Sequence, residues 1–556
     1  METTWDYVRS RIIGNRTPIE TPFGTRCLTY ADYTASGRGV SFVEDYVRNL
    51  MQTYANTHTE DDLTGLVTSK RLAAAERIIK NHLHANEDYV IIALGAGATA
   101  AINRLQEILG IYLSPAGRDR IDRALAKTVG KNLREVMRDQ LPVVFVGPYE
   151  HHSNEISWRE GLADVVEINL DSRGYLDLDD LRYKLALPQY ANRERIGSFS
   201  AASNVSGIKT DVYEVARILH AAGALAFFDF SASAPYVDID VAHDDESSFD
   251  GVFFSPHKYL GGPGSAGILV LRKALYRADL PPSESGGGTV SFVNEETQDY
   301  VHDIEEREKA GTPAILQTMR AALAIDLQHH LGLSRIEARE TDLIRRAVER
   351  FSRIPAVEII GDAPPEDRLS IFSFNISHGN GYLHPRFVVR LLNDLFGIQA
   401  RAGCSCAGPY GHRLLEIDIR RSEIYRQYIR DGLNGLKPGW VRLNFHYLIT
   451  DEEFEYLCRA IEIAAEFGLY YLSEYRFDLK TGSWMHTDEP SSKTSFGIAE
   501  ALAFDAHDES RPGTCNLTGF IAYAEAHGRE LRDAFRPDDL QETNDDVIPF
   551  FYMEQE

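Results

Sequence analysis

Residues 251–273 read GVFFSPHKYLGGPGSAGILVLRK. The uncharged run GVFF runs directly into Ser255, His257 and Lys258, then into Gly261, Gly262, Gly264 and Gly267, after which GILVLRK resumes strand character. A lysine in this position has its stem anchored by sheet packing and its amine directed into a crevice. Desolvation or a neighbouring cation lowers the pKa of such an amine, which suits it to form a Schiff base with pyridoxal phosphate. The same position also suits a surface lysine at a strand end. Other segments must decide between the two.

Upstream, ALAFFDF ends its apolar run on Asp229. A carboxylate at the mouth of a strand pairs with a protonated pyridine nitrogen, or caps the following loop through Ser231 or Ser233. Residues 88–109, DYVIIALGAGATAAINRLQEIL, form a strand, a Gly-Ala-Gly turn and a helix with Ile102, Leu105 and Leu109 on one side. Backbone N–H groups and the Thr99 hydroxyl at that helix start would seat a phosphate, although close helix–sheet packing also explains the glycines. The order GxGxxG is absent, so this is no dinucleotide fingerprint. In EHHSN, His151 or His152 could stack on a cofactor; adjacent histidines without a spaced third ligand do not make a zinc site. Cys404 and Cys406 lie in the glycine-rich loop RAGCSCAGPYG, where a thiolate can reach a substrate; the alternative is small apolar filler.

Further strands are expected at residues 143–146 and on either side of a helix near residues 212–222. Short uncharged strands alternating with helices imply an α/β fold, a mostly parallel sheet covered on both faces with ligands at the carboxyl ends of its strands. After the glycines at 286–288 the texture changes to amphipathic elements: helices near residues 312–330, 336–351, 387–395 and 451–467, and the strand GWVRLNFHYL. These point to a smaller α+β domain. The expected boundaries are an N-terminal segment at 1–40 packing with the small domain, a cofactor-binding large domain at 41–290, the small domain at 291–470 with a charged insert at 410–438, and an extension at 471–556. That extension carries no clear sheet signal and is expected to be loosely held, with its apolar ending IPFFYM able to dock.

At 556 residues the chain needs neither disulfides nor metal to hold a core. Its 58 basic and 83 acidic residues give a net charge of -25, which repels nucleic-acid backbones. Five cysteines, an odd number, do not close a disulfide framework and suggest a reducing compartment. No leader-like apolar segment opens the sequence, and no apolar stretch reaches the roughly 18 residues of a bilayer span. A cytoplasmic protein without membrane or nucleic-acid partners is expected.

Together the segments YADYTASG, YANTHTE, GAGATAAIN, EHHSN, SNVSG, DFSAS, FFSPHK, GGGTV, KAGTP, RAGCSC and VRLNFHY resemble, in order, the class V aminotransferase group of fold-type I pyridoxal-phosphate enzymes, and most of all the cysteine desulfurases and selenocysteine lyases. The resemblance covers about residues 28 to 470. It implies a mostly parallel sheet of the seven-stranded type and pyridoxal 5'-phosphate as cofactor; from the histidine and cysteine spacing no metal is expected. Lys258 corresponds to the lysine that binds the cofactor and moves protons, Asp229 to the partner of the pyridine nitrogen, and His151 to the ring stacked over it. Asn204 corresponds to the residue near the pyridine oxygen, and Ala98, Thr99, Ser255 and His257 to the phosphate cup. Thr289 corresponds to a phosphate contact supplied by a second subunit, which implies a homodimer. Arg442 corresponds to the clamp on the substrate carboxylate, Arg401 to a second arginine at the substrate mouth, and Cys406 to the thiol that accepts sulfur. The implied reaction takes sulfur from L-cysteine, leaving alanine and a persulfide on the enzyme, and brings in a sulfur-acceptor protein as partner. Other chemistries of the group are an aminotransferase, an epimerase or a β-eliminating lyase; a scaffold that has lost activity is the reading outside enzymes. The chain departs from the family at Ala232, where a glutamine is usual, in the CSC loop, in the long interval between Cys406 and Arg442, and beyond Tyr470.

Overall fold

Seven short runs, whose charged residues sit at their ends, build the first sheet: β1 (Tyr89–Leu94), β2 (Val143–Val146), β3 (Asp164–Glu167), β4 (Arg195–Ser200), β5 (Leu225–Asp229), β6 (Gly251–Phe254) and β7 (Gly267–Arg272). The structure is a computed structural model and describes residues 4–57, 59, 61–489, 496–503, 515–543 and 547–553. Across the sheet the order is β1-β7-β6-β5-β4-β2-β3. Strand β7 runs antiparallel to both of its neighbours, and the remaining strands are mutually parallel. Strands β2 and β6 are buried along their whole length, as parallel strands covered on both faces require. One face packs Ile102 and Leu105 of a helix against Val90, Val144, Phe227, Phe253 and Leu269.

This sheet belongs to a compact unit made of Met1–Arg11, Thr34–Arg339 and Asp362–Leu369. Its helices include α1 (Leu63–His82), α2 (Ala98–Ile108) and α3 (Ile315–Leu331). Helix α3 lies along α1 and is tied to it by His82 Nε2 and Asp326 Oδ1 at 2.8 Å. Residues 291–339 therefore stay with the large unit, and the expected boundary at 290 moves to 339, inside the helix α4 (Leu333–Phe351).

The second unit comprises Ile12–Tyr33, Glu340–Gly361 and Ser370–Glu556. Only residues 12–33 of the opening segment join it, rather than 1–40, because they carry the strand Thr29–Tyr30 that pairs in parallel with Ile398–Gln399. Its main sheet consists of β8 (Val357–Ile359), β9 (Ile371–His378), β10 (Gly381–Leu383), β11 (Arg401–Gly403), β12 (Trp440–Asn444), β13 (Leu540–Glu542) and β14 (Phe550–Met553). The path is β11-β12-β9-β10-β14-β13, with β8 on β9. Helices α5 (Pro385–Phe396), α6 (Gly408–Leu414), α7 (Ile419–Arg430), α8 (Asp451–Tyr471) and α9 (Leu517–Ala534) complete it, the charged insert supplying α6 and α7.

The described parts of the extension are more ordered than its composition implies. Tyr475–Asp478 and Ser483–His486 form a hairpin, α9 packs on α8, and β14 adds in parallel to β10, so IPFFYM docks by completing the sheet. These strands are only three or four residues long, below the length at which alternation stands out. The cysteine count also misled. Cys27 and Cys515, 488 positions apart, form a disulfide with Cα atoms 6.0 Å apart, and an odd total leaves room for one pair.

Candidate active site

In the first unit, the carboxyl ends of β1, β5 and β6 carry the residues singled out in the sequence. Asp229 is the last residue of β5 and is 5% exposed. Its Oδ1 accepts the Ser231 N–H at 2.8 Å. Ser255 follows β6, and Pro256–Lys258 form a single 3-10 turn that delivers Lys258 directly from the buried strand.

Helix α2 begins beside this turn. The Ala98 N–H donates to Ser255 Oγ at 2.8 Å, while Thr99 Oγ1 and Ser153 Oγ lie 2.8 Å apart. A methyl group placed on Gly97 would come within 3.1 Å of Ser255 Oγ and 3.7 Å of the His257 ring, so glycine here leaves a small cradle at a helix amino terminus. The approach is enforced from behind, since a side chain on Gly267 would meet the Gly97 carbonyl at 2.3 Å. Burial, reinforced by Lys258, pushes the His257 imidazole down to about 4, so it stays neutral at physiological pH. Its Nδ1 lies 3.3 Å from Ser36 Oγ.

His151 caps a short 3-10 turn, its Nδ1 accepting the Ser153 N–H at 3.1 Å. His152 is held below its ordinary pKa by burial and by Arg159. Glu150, just before them, went unnoticed in the sequence. It is 4% exposed and accepts four hydrogen bonds, from Gly147 N, Ser200 N, Ser200 Oγ and Asn154 Nδ2, at 3.1, 2.8, 2.6 and 2.6 Å. Burial outweighs these contacts and, with the charge of Asp229, lifts its carboxyl to about 7. Asn204 lies in the turn between β4 and the next helix. Ala232 presents a methyl group three residues beyond Asp229. Thr289 is fully buried, its hydroxyl donating to Gly286 O at 2.8 Å within its own loop.

In the second unit, β11 and β12 pair with Arg401 opposite Arg442. Arg442 is 3% exposed and Arg401 48%. Both hold Asp32, Arg442 Nη2 donating to Oδ1 at 3.1 Å and Arg401 Nε to Oδ2 at 3.0 Å. Burial pulls the Arg442 pKa down, Asp32 opposes that, Arg401 adds to it, and a charge on Cys406 opposes it. After Gly403 the chain turns through Ser405 and Cys406, both with positive φ (51° and 57°), closed by the Ala407 N–H on the Cys404 carbonyl at 3.0 Å. Consecutive non-glycine residues in the left-handed region are costly and concentrate at functional sites. Cys404 and Cys406 are exposed thiols, whereas Cys458 is buried, which pushes its thiol up to about 12. Among the described residues, no group of histidine, cysteine and acidic side chains is arranged to hold a metal, and no helix is long and apolar enough to cross a membrane.

The model of the class-V aminotransferase family matches residues 126–457, more than half of the chain. The chain belongs to that family. Its relatives include a probable cysteine desulfurase of Halalkalibacterium halodurans, 28% identical over 420 residues that cover 74% of this chain and 92% of the relative. A second from Mycobacterium leprae is 33% identical over 300 residues, covering 54% and 68%. Among solved structures, the apo cysteine desulfurase of Thermococcus onnurineus superposes with a TM-score of 0.62 at 23% identity, over 79% of this chain and 95% of that one. The Escherichia coli cysteine desulfurase gives 0.60 at 20% identity, over 84% and 99%. At these identities the superpositions establish the fold, fold-type I. Membership brings pyridoxal phosphate as cofactor, and the residues present fit it. Gly97 leaves a cradle at a helix amino terminus, a buried carboxylate closes β5, a lysine closes β6, and Ser231 Oγ, two residues after Asp229, is a buried hydroxyl without a hydrogen-bond partner among the described residues.

Proposed function

We propose that this class-V enzyme is a cysteine desulfurase, releasing sulfur from L-cysteine as a persulfide on Cys406 and alanine as product. The observation that carries the reading is the exposed Cys406 thiol on a left-handed turn directly after the strand that pairs Arg401 with Arg442. When bound, pyridoxal phosphate supplies an electron sink for charge developing at the substrate's α-carbon. In this chain Ala98, Thr99, Ser255 and His257 would hold its phosphate, Asp229 the proton on its ring nitrogen, Asn204 its pyridine oxygen and His151 its ring face. Lys258 would bind it and carry the α-proton. Arg442 grips the substrate carboxylate through its planar guanidinium, with Arg401 as the outer arm. Cys406 as thiolate attacks the substrate sulfur; the carbon–sulfur bond breaks, its electron pair stays with the carbon fragment, and protonation yields alanine.

Relatives named as cysteine desulfurases support this substrate. The reading includes a homodimer in which the loop holding Thr289, whose hydroxyl is buried on Gly286 O in the single chain, rearranges to contribute across the interface, together with a sulfur-acceptor protein and a cytoplasmic location. Complementation between a Lys258→Ala chain and a Thr289→Ala chain tests the shared site. The reaction is tested by profiling amino-acid turnover with sulfide, alanine and keto acid measured in one assay, together with mass spectrometry after brief exposure to cysteine. One added sulfur on the Cys406 peptide is expected. Turnover to keto acid without that adduct turns the reading to an aminotransferase, for which Ala232 in place of the usual glutamine is the favouring observation.

A further inference from the structure

Asp32 belongs to no role given so far, yet it is the residue that both arginines hold. We infer that Asp32 is the positioning residue of the carboxylate clamp and makes it selective for amino acids with a free α-carboxylate; this rests on the proposed role of Arg442. Three observations support it. The backbone around Asp32 is stitched on both sides, the Ala31 N–H donating to Gln399 O at 3.0 Å and the Ala31 carbonyl accepting from Asn444 N–H at 2.8 Å. Asp32 is thereby fixed against β12, which carries Arg442, and against the strand Ile398–Gln399, which leads two residues on to Arg401 at the start of β11. Its carboxylate divides itself, one oxygen to Arg442 at 3.1 Å and the other to Arg401 at 3.0 Å. Finally, the setting needs such a residue. Arg442 is 3% exposed and pairs in register with Arg401, whose charge works against its own, and the Asp32 carboxylate shared between them offsets that repulsion.

A buried guanidinium whose Nη2 is anchored on a carboxylate has few orientations left, and its orientation decides the angle at which a second carboxylate is received. A carboxylate so placed orients without touching the reacting atoms, and its loss should be felt in binding before it is felt in turnover. A glue for the fold would lose cofactor and stability together.

The test compares wild-type, Asp32→Asn and Asp32→Ala holoenzymes. Calorimetry gives the dissociation constant for L-alanine, which bears the carboxylate and no sulfur, and kinetics compares L-cysteine with L-cysteinamide, which lacks the carboxylate. Asp32→Ala is expected to weaken L-alanine binding and raise KM for cysteine by about 10- to 100-fold, the scale of a lost charge-assisted hydrogen bond, with kcat changed by less than about 3-fold. Turnover of cysteinamide should be unchanged, so discrimination between the two substrates collapses. Asp32→Asn, nearly the same shape, keeps one oxygen acceptor and should fall between. The inference is overturned if Asp32→Asn binds L-alanine as the wild type does, or if it loses cysteine and cysteinamide turnover equally along with bound cofactor. Binding of L-alanine does not depend on Cys406. A wild-type enzyme that releases no sulfide, with L-alanine binding still weakened by Asp32→Asn, sinks the desulfurase reading and leaves the role of Asp32 standing.

Discussion

The two halves of the chemistry are built by opposite means. Around Lys258, every feature is rigid: parallel strands buried on both faces, a single 3-10 turn, a helix start pinned by Ser255, and a neutral His257. Around Cys406, the backbone is forced into a left-handed turn, the thiols are exposed, and the only deeply buried group of the cluster, Arg442, is an ion held by another ion. The first arrangement suits a cofactor that must not move. The second suits a nucleophile that must accept a group and pass it on, because exposure leaves the sulfur accessible.

Four experiments press on this contrast. Lys258→Ala should reduce every amino-acid turnover by roughly 1,000-fold or more and abolish borohydride-fixed cofactor, since Lys258 is the residue given both the cofactor and the α-proton; fixation on another lysine would break the comparison at its base. Cys406→Ala should reduce sulfide release from cysteine by at least about 100-fold while cofactor content stays normal, whereas Cys404→Ala should cost only about 3-fold, because attack depends on the thiolate placed at the turn and not on cysteine content. Equal losses at both positions would mean that the turn does not distinguish its two thiols. Gly97→Val should weaken cofactor binding by about 10-fold through crowding against Ser255 Oγ, with the apo-protein's far-ultraviolet spectrum unchanged.

The smallest effect is on pH and stability. Glu150 titrates at about 7 in the folded protein and near the ordinary carboxyl value when unfolded, so the folded state alone holds that proton between those values. Stability then falls as pH rises through this window and levels off above 7. Burial works the other way on His446 and His384, held down to about 3 and about 4. Unfolded histidines take up protons below about pH 6.5 while these two do not, so stability falls on acidification from there. The melting temperature of Glu150→Gln relative to wild type should therefore rise from pH 5 to pH 8; a flat difference would mean that the Glu150 carboxyl is ionised throughout.

Legibility in the sequence divides along the same line. Asp229 and Lys258 could be read because each ends an apolar run, and the end of a parallel strand is a ligand position whatever lies beside it. The Gly97 cradle was visible as a glycine turn before a helix. Arg401 and Arg442 were identified only through family resemblance, and their pairing depends on β11 and β12 lying in register, which no local pattern encodes. Asp32 stood inside a quoted motif without drawing notice, since its partners are far along the chain. Glu150 was hidden by the histidines that follow it. The strands of the extension and the Cys27–Cys515 bridge were missed for the same reason, because short segments and single atoms acquire meaning only from what tertiary structure brings to them.

That bridge has a topological consequence. Joining residue 27 to residue 515 turns the polypeptide into a covalent ring with two short tails, and both sheets apart from β13 and β14 lie on the ring itself. A protease that cuts the backbone once anywhere inside the ring opens it into a linear molecule of unchanged mass, apart from one water, and liberates no fragment. Two pieces separate only when a reductant also opens the sulfur–sulfur link, so damage to this protein is legible on a denaturing gel in one redox state and silent in the other.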